Sequence, residues 1–221
     1  MTSHLPVLMT SDLFKDTAPQ DILTVLNHTN SYIRTFEKDD LIYKLNEKVH
    51  HVAIVIEGTV NIATEDHAGN QRIINTVSEG KMFAKAHACL HLRPVMLRSI
   101  CQTDVTVLFI DIDRLFGDCG LPYGLQNHVI KNYVDMLAEA ALIQYNYIRH
   151  TAHRTIRAKL LSYLEDQQAM AGTDYFDVPL NRQQLADYLG IDRSALSTEL
   201  SKMRSEGLIE YDRNRFIFKN K

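Results

Sequence analysis

Short hydroxyls and one arginine crowd a stretch near the end of the chain: Arg193, Ser194, Ser197, Thr198 and Ser201. At helical spacing these side chains share one face, while Leu196, Leu200 and Met203, at i, i+4 and i+7, share the other. A guanidinium and small hydroxyls on an exposed helix end suit the base edges of a DNA major groove. Arginine can bond two guanine acceptors at once, and a hydroxyl can give or accept. Arg193, Ser194, Ser197 and Thr198 are therefore the expected base-contacting residues. No acid, base or nucleophile constellation accompanies them, so no catalytic residue and no enzymatic activity are expected.

The elements around that face must hold it rigidly. Asn181 can cap a helix with Gln184 three residues on, a reciprocal capping pattern. Leu185, Ala186 and Leu189 give that helix an apolar side, and Gly190 ends it. Asp192 can cap the second helix, with Ile191 and Leu196 at hydrophobic-staple spacing, and Gly207 closes it. Two short helices joined at a glycine occur in many domains, so the residues that follow carry weight. Leu208–Tyr211 and Arg215–Phe218 alternate like two strands around Asp212-Arg213-Asn214, which makes a wing. Arg182 and Gln183 at the start of the first helix, with Arg213 and Arg215 on the wing, are placed to meet phosphates. Lys219 and Lys221 lie beside them.

The order helix, Leu-Gly turn, DRSALSTELSKMRSEGLI, then wing resembles the C-terminal domain of the CRP/FNR family of bacterial transcription regulators. The resemblance implies that the second helix reads DNA with its first turns. The family often has a glutamate at the position of Ser194 and an arginine at that of Thr198. Neither is present, so the operator is expected to differ from the family's best-known half-site. Arg193 can still bond guanine.

Length and composition are ordinary for one large or two small domains: 221 residues, 45% hydrophobic and 23% charged. Net charge is −3, yet residues 178–221 hold eight Lys/Arg against six Asp/Glu. Local charge governs docking to nucleic acid more than the total. No apolar run reaches membrane length and no basic-then-apolar leader opens the sequence. The three cysteines, Cys89, Cys101 and Cys119, form no paired or zinc spacing. A cytoplasmic location, without membrane contact, is expected.

Upstream, a helix is expected over Leu13–Leu26. Strand-like runs follow at Tyr32–Phe36, Leu41–Tyr43, Val52–Glu57, Thr59–Thr64, Arg72–Val77, Val95–Cys101 and Val105–Ile110. Turns are expected at Lys38–Asp40, Gly58, Asp66–Asn70 and Glu79-Gly80. Many short strands at this spacing indicate an antiparallel barrel or jelly roll. Cupin enzymes share that architecture, which leaves open a metal-binding or enzymatic protein that does not bind DNA. The stretch from Ile33 to Ala84 resembles the cyclic-nucleotide-binding-type β-roll that precedes the winged helix in the same family. His50-His51, His87 and His91 do not fit a cupin metal pattern, and no metal is expected.

The resemblance locates an effector pocket at Lys85, Arg93, Arg98, Ala140 and Ala141. Where cAMP binders of the family carry Gly-Glu, this chain has Ala84-Lys85. Where they carry Arg-Ser, it has Arg93-Pro94. Lysine only donates and cannot accept ribose hydroxyls, and proline lacks both a hydroxyl and an N–H. Ala140 and Ala141 stand where purine-facing hydroxyls usually lie. cAMP is not expected, and no cofactor is. Iron–sulfur members need four cysteine ligands. Haem-binding members use Cys or His in the segment that here holds His87, Cys89 and His91. A free core cysteine with two loop histidines is the plainer reading, and a haem- or thiol-based sensor is the alternative within the family.

Between the halves, Ile130, Val134, Leu137, Ala141, Gln144 and Ile148 recur at 4-3-4-3-4 spacing on a helix expected over Leu125–Arg149. That seam could pack on its own domain or pair with its copy. In the family, the resemblance implies, this helix dimerises. The expected fold class is thus α+β: an antiparallel β-roll of jelly-roll type (residues 1–124), a dimerisation helix and hinge (125–150), and a winged helix-turn-helix (151–221). The expected partners are double-stranded DNA at a near-palindromic operator, a second copy of the chain, and RNA polymerase. A further helix is expected over Ala152–Ala171, with Ile156, Leu160 and Leu164 inward.

Overall fold

A computed structural model of the chain describes residues 1–65, 71–90 and 95–219. Its contacts divide it into two compact units, Met1–Glu139 and Ala140–Lys221. The division falls inside a single long helix, whereas the sequence suggested a hinge at its end.

The first unit begins with 3₁₀ turns at Thr2–His4 and Asp12–Phe14 around a one-turn helix, α1 (Leu5–Leu8). Then comes α2 (Pro19–His28). The single helix expected over Leu13–Leu26 is broken because Pro19 takes the first helical position. It holds Ala18 before it in an extended conformation (φ −66°, ψ 147°).

Among the described residues eight strands follow: β1 (Tyr32–Phe36), β2 (Leu41–Tyr43), β3 (His51–Glu57), β4 (Val60–Glu65), β5 (Gln71–Val77), β6 (Met82–Phe83), β7 (Arg98–Cys101) and β8 (Val105–Asp111). They form two four-stranded sheets, ordered β1-β8-β3-β6 and β2-β7-β4-β5. Every pairing in them is antiparallel. β3 is buried from Val52 to Ile56, a continuous apolar run rather than an alternating one. Gly58 makes the turn into β4 with φ +87°, and an added Cβ would lie 2.3 Å from the Asp104 carbonyl oxygen, so glycine is required there. The expected turn at Asp66–Asn70 lies outside the described residues.

Two short helices, α3 (Lys85–Cys89) and α4 (Ile112–Phe116), were not anticipated. Asp111 caps α4 by accepting from Asp113 and Arg114 N–H. One core joins both sheets to Ile22, Val25 and Leu26 of α2 and to Val129, Tyr133 and Met136 of α5 (Tyr123–Thr151).

The second unit contains the end of α5, then α6 (Ile156–Ala171), β9 (Tyr175–Asp177), α7 (Arg182–Leu189), α8 (Arg193–Ser205), β10 (Ile209–Asp212) and β11 (Arg215–Phe218). α6 starts later than expected because Thr155 is its cap, accepting from the Ala158 N–H. Leu160 and Leu164 of α6, Leu185, Ala186 and Leu189 of α7, and Leu196, Leu200 and Met203 of α8 close a second core with Phe176 and Phe216. Among the described residues no helix is long and apolar enough to cross a membrane.

Candidate nucleic-acid interface

The first helix of the pair is held at both ends as its residue types dictate. Asn181 Oδ1 accepts from the Gln184 N–H at 3.0 Å, and Gln184 Oε1 accepts from the Asn181 N–H at 2.9 Å. Gly190 ends α7 in the left-handed region (φ 61°, ψ 49°). Lys159 of α6 adds a bond from Nζ to the Leu189 carbonyl at 2.9 Å, a cation at the helix C-terminus.

α8 departs in one respect. Asp192 occupies its N-cap, but the aspartate side chain makes no capping bond. The expected side-chain cap is therefore not formed, and the first-turn N–H groups keep their capacity for another acceptor. Leu196, Leu200 and Met203 are buried, while Arg193, Ser194, Ser197 and Thr198 are exposed. The hydroxyls are not idle. Ser197 donates to the Arg193 carbonyl at 3.0 Å, Thr198 to Ser194 at 3.0 Å and Ser201 to Ser197 at 2.9 Å. Their protons point into the helix and their lone pairs outward. The far end of α8 is anchored to α6: Arg157 bonds Glu199 through Nε and Glu206 through both terminal nitrogens.

β10 and β11 pair in register, Asp212 opposite Arg215. The wing turn is thus two residues, Arg213-Asn214, one shorter than expected, with Arg213 at φ +51°. Sequence reading missed a third strand: β9 pairs with β11, Phe176 opposite Phe216. Alternation in Tyr175-Phe176-Asp177-Val178 was the available signal, with only Phe176 and Val178 of the four buried.

The expected phosphate contacts sit in different settings. Arg213 is exposed at the wing tip. Arg215 pairs with Asp177, Nε to Oδ1 at 3.2 Å and Nη2 to Oδ2 at 3.3 Å. Gln183 is exposed and donates to Asp187 at 2.8 Å. Arg182 is turned inward. Its guanidinium lies 5.1 Å from the Tyr211 ring and 5.0 Å from the Phe216 ring, and Nη2 donates to the Arg213 carbonyl at 2.6 Å. Burial lowers its pKa from the usual arginine value. Arg182 is half-buried and fastens the wing.

A buried polar cluster sits where α5 ends. His150 is 3% exposed. Its Nε2 lies 2.8 Å from Asp166 Oδ2 and its Nδ1 2.9 Å from the Tyr188 hydroxyl. Arg149 bonds the same Asp166 oxygen. Burial first, then Arg149 and His153, push the His150 pKa down. That direction favours the neutral ring, and in a neutral ring an Nε2–H would donate to Asp166 while Nδ1 accepts from Tyr188.

The effector-pocket residues are scattered in role. Ala84 has a left-handed backbone (φ 61°, ψ 13°) at the start of α3, a conformation that favours glycine. Lys85 is half-buried, and its carbonyl accepts from the Tyr133 hydroxyl at 2.8 Å. Arg98 pairs with Glu65 at 2.8 Å. Ala140 is half-buried and Ala141 exposed on α5. Cys89 donates to the Tyr133 hydroxyl at 3.4 Å, and His87 is half-buried. Arg93 and His91 lie outside the described residues. Among the described residues no three His, Cys, Asp or Glu side chains cluster to hold a metal.

The seam on α5 is also adjusted. Ile130 and Leu137 pack on the core of the first unit. Val134 and Ile148 are 52% and 62% exposed, Ala141 and Gln144 are exposed, and Leu142 and Tyr145 add 62% each. The free apolar row runs through Val134, Ala141, Tyr145 and Ile148.

Residues 33–117 match the sequence profile of a cyclic nucleotide-binding domain, and residues 158–221 that of a Crp-like helix-turn-helix domain. No curated protein matches the sequence closely enough to count as a relative. Solved structures of similar fold include DNR from Pseudomonas aeruginosa, at 18% identity and TM-score 0.51 over 100% of this chain and 96% of that one. A putative cAMP-binding regulatory protein from Silicibacter pomeroyi DSS-3 gives 15% identity and TM-score 0.52 over 100% and 95%. CprK complexed with OCPA gives 14% identity and TM-score 0.53 over 89% of this chain and 91% of that one. At these identities the likeness supports the fold. The two profiles match in the order in which the CRP/FNR family of transcription regulators combines these domains, and the chain belongs to that family.

Proposed function

We propose that the protein is a homodimeric, sequence-specific DNA-binding regulator of transcription that acts by binding and not by catalysis. The observation that carries this reading is the α8 surface. Arg193, Ser194, Ser197 and Thr198 are exposed on one face, opposite buried Leu196, Leu200 and Met203. Those four side chains face bases. Gln183, Arg213, Arg215 and the uncapped α8 N-terminus face phosphates. Val134, Ala141, Tyr145 and Ile148 of α5 meet their copies in a second subunit, so two recognition helices address a near-palindromic operator in the cytoplasm. RNA polymerase is the proposed downstream partner.

The controlling signal is proposed to be something other than cAMP. Lys85 brings donors where the ribose hydroxyls need acceptors, and Ala140 and Ala141 bring no hydroxyl to a purine. Saturating cAMP should leave the melting temperature unchanged, and a clear rise would refute the point.

Arg193→Ala tests the DNA reading. Gel shifts against the promoter of the protein's own gene should show specific binding weakened by about 1–3 kcal/mol, with binding to random DNA preserved. Equal loss on both would remove Arg193 from base recognition.

A further inference from the structure

Among the residues of α5 that belong to the second unit, Ala140 to Thr151, His150 is the sole buried one. Leu142, Ile143, Tyr145 and Ile148 are each about 60% exposed, so within its own unit this stretch of helix is anchored at its last turn. The anchor is polar. His150 bonds α6 through Asp166 and α7 through Tyr188, using both ring nitrogens. Tyr163 packs edge-on against the imidazole at 5.4 Å, Tyr188 lies 5.4 Å from Tyr163, and Tyr147 lies 5.4 Å from Tyr188. An aliphatic side chain would fill the same space without specifying an angle. Two directional bonds from one planar ring fix both the helix rotation and its tilt.

We propose that His150 is a positioning residue that sets the angle between α5 and the helix-turn-helix, and thereby the half-site spacing the protein accepts on DNA. The inference rests on the proposed pairing of α5 with a second copy. If α5 carries the symmetry axis of the dimer, its direction relative to α7 and α8 determines how far apart the two recognition helices lie. They must enter successive major grooves, roughly 34–36 Å apart. Tyr188 lies on α7 and is not itself one of the proposed base or phosphate contacts.

The test uses the full chain and an operator recovered by selection from random DNA. Three probes are compared: the recovered site, the same site with one base pair inserted or deleted between its halves, and an isolated half-site. Wild type should discriminate the native spacing by about tenfold or more, the worth of one or two directional bonds. Tyr188→Phe keeps the ring and removes one bond, and His150→Leu removes both. Both variants should keep dimer mass by light scattering and half-site affinity, and lose most of the spacing discrimination. Tyr188→Phe carries the inference should His150→Leu fail to fold. Variants that still discriminate would overturn the proposal, as would loss of half-site affinity in equal proportion. A wild-type chain that is monomeric on its operator would instead overturn the dimer reading on which it depends.

Discussion

Arg182 carries five donors at the first turn of α7, and its position in the sequence suits a DNA phosphate. Its partners, however, lie about thirty residues downstream: the Arg213 carbonyl and the rings of Tyr211 and Phe216. Nothing local in the sequence announces that packing, so the residue type was legible and its direction was not. The two roles separate in a double-mutant cycle. If Arg182 holds the wing so that Arg213 can reach a phosphate, Arg182→Ala should weaken DNA binding about as much as Arg213→Ala, by roughly 1 kcal/mol. The double variant should then be little weaker than either single one. Additive losses in fluorescence titrations would return Arg182 to a direct phosphate contact. The hydroxyl row shows the opposite balance. Helical spacing alone placed Ser194, Ser197 and Thr198 on the outward face, because the buried leucines left them nowhere else to go.

At the level of elements, those with strong local punctuation were read closely: α7 from Asn181 and Gly190, the end of α8 from Gly207, and β1 and β2 as short strand-like runs on either side of the Lys38–Asp40 turn. Those defined by a distant partner were missed. β9 exists because β11 offers it an edge, and β6 because β3 does. The α5 seam shows the same limit. Heptad spacing cannot tell a side chain on its own core from one awaiting a partner, and Ile130 and Leu137 prove to be the former. The choice of variant follows. Val134→Glu or Ile148→Glu should yield monomers by light scattering with an unchanged melt of the first unit, since both side chains are more than half exposed. Leu137→Lys should instead destabilise that unit, by about 2 kcal/mol or more, because it removes packing and buries an amine. An unchanged dimer mass in Val134→Glu and Ile148→Glu would refute the seam.

For the whole molecule, the division between Glu139 and Ala140 places the last three turns of α5 with the DNA-binding unit. Under the proposed pairing, a change in how the Ala140–Thr151 stretches of two copies meet would pass to α7 through His150 and Tyr188. Such a two-state change needs differential contacts in its two states, and the β-roll is where a signal would supply them. The output end is the better specified in the sequence because its chemistry lies in one contiguous stretch. The residues expected at the input end, Lys85, Arg93, Arg98, Ala140 and Ala141, are instead spread over more than fifty positions of the sequence. The most direct measurement is selection of binding sites from random DNA by the full chain. The expected result is enrichment of a near-palindrome whose halves lie about one helical turn apart, with a guanine in each half that is no longer selected by Arg193→Ala. Recovery of no common sequence, or of a single asymmetric site bound by one copy, would contradict it.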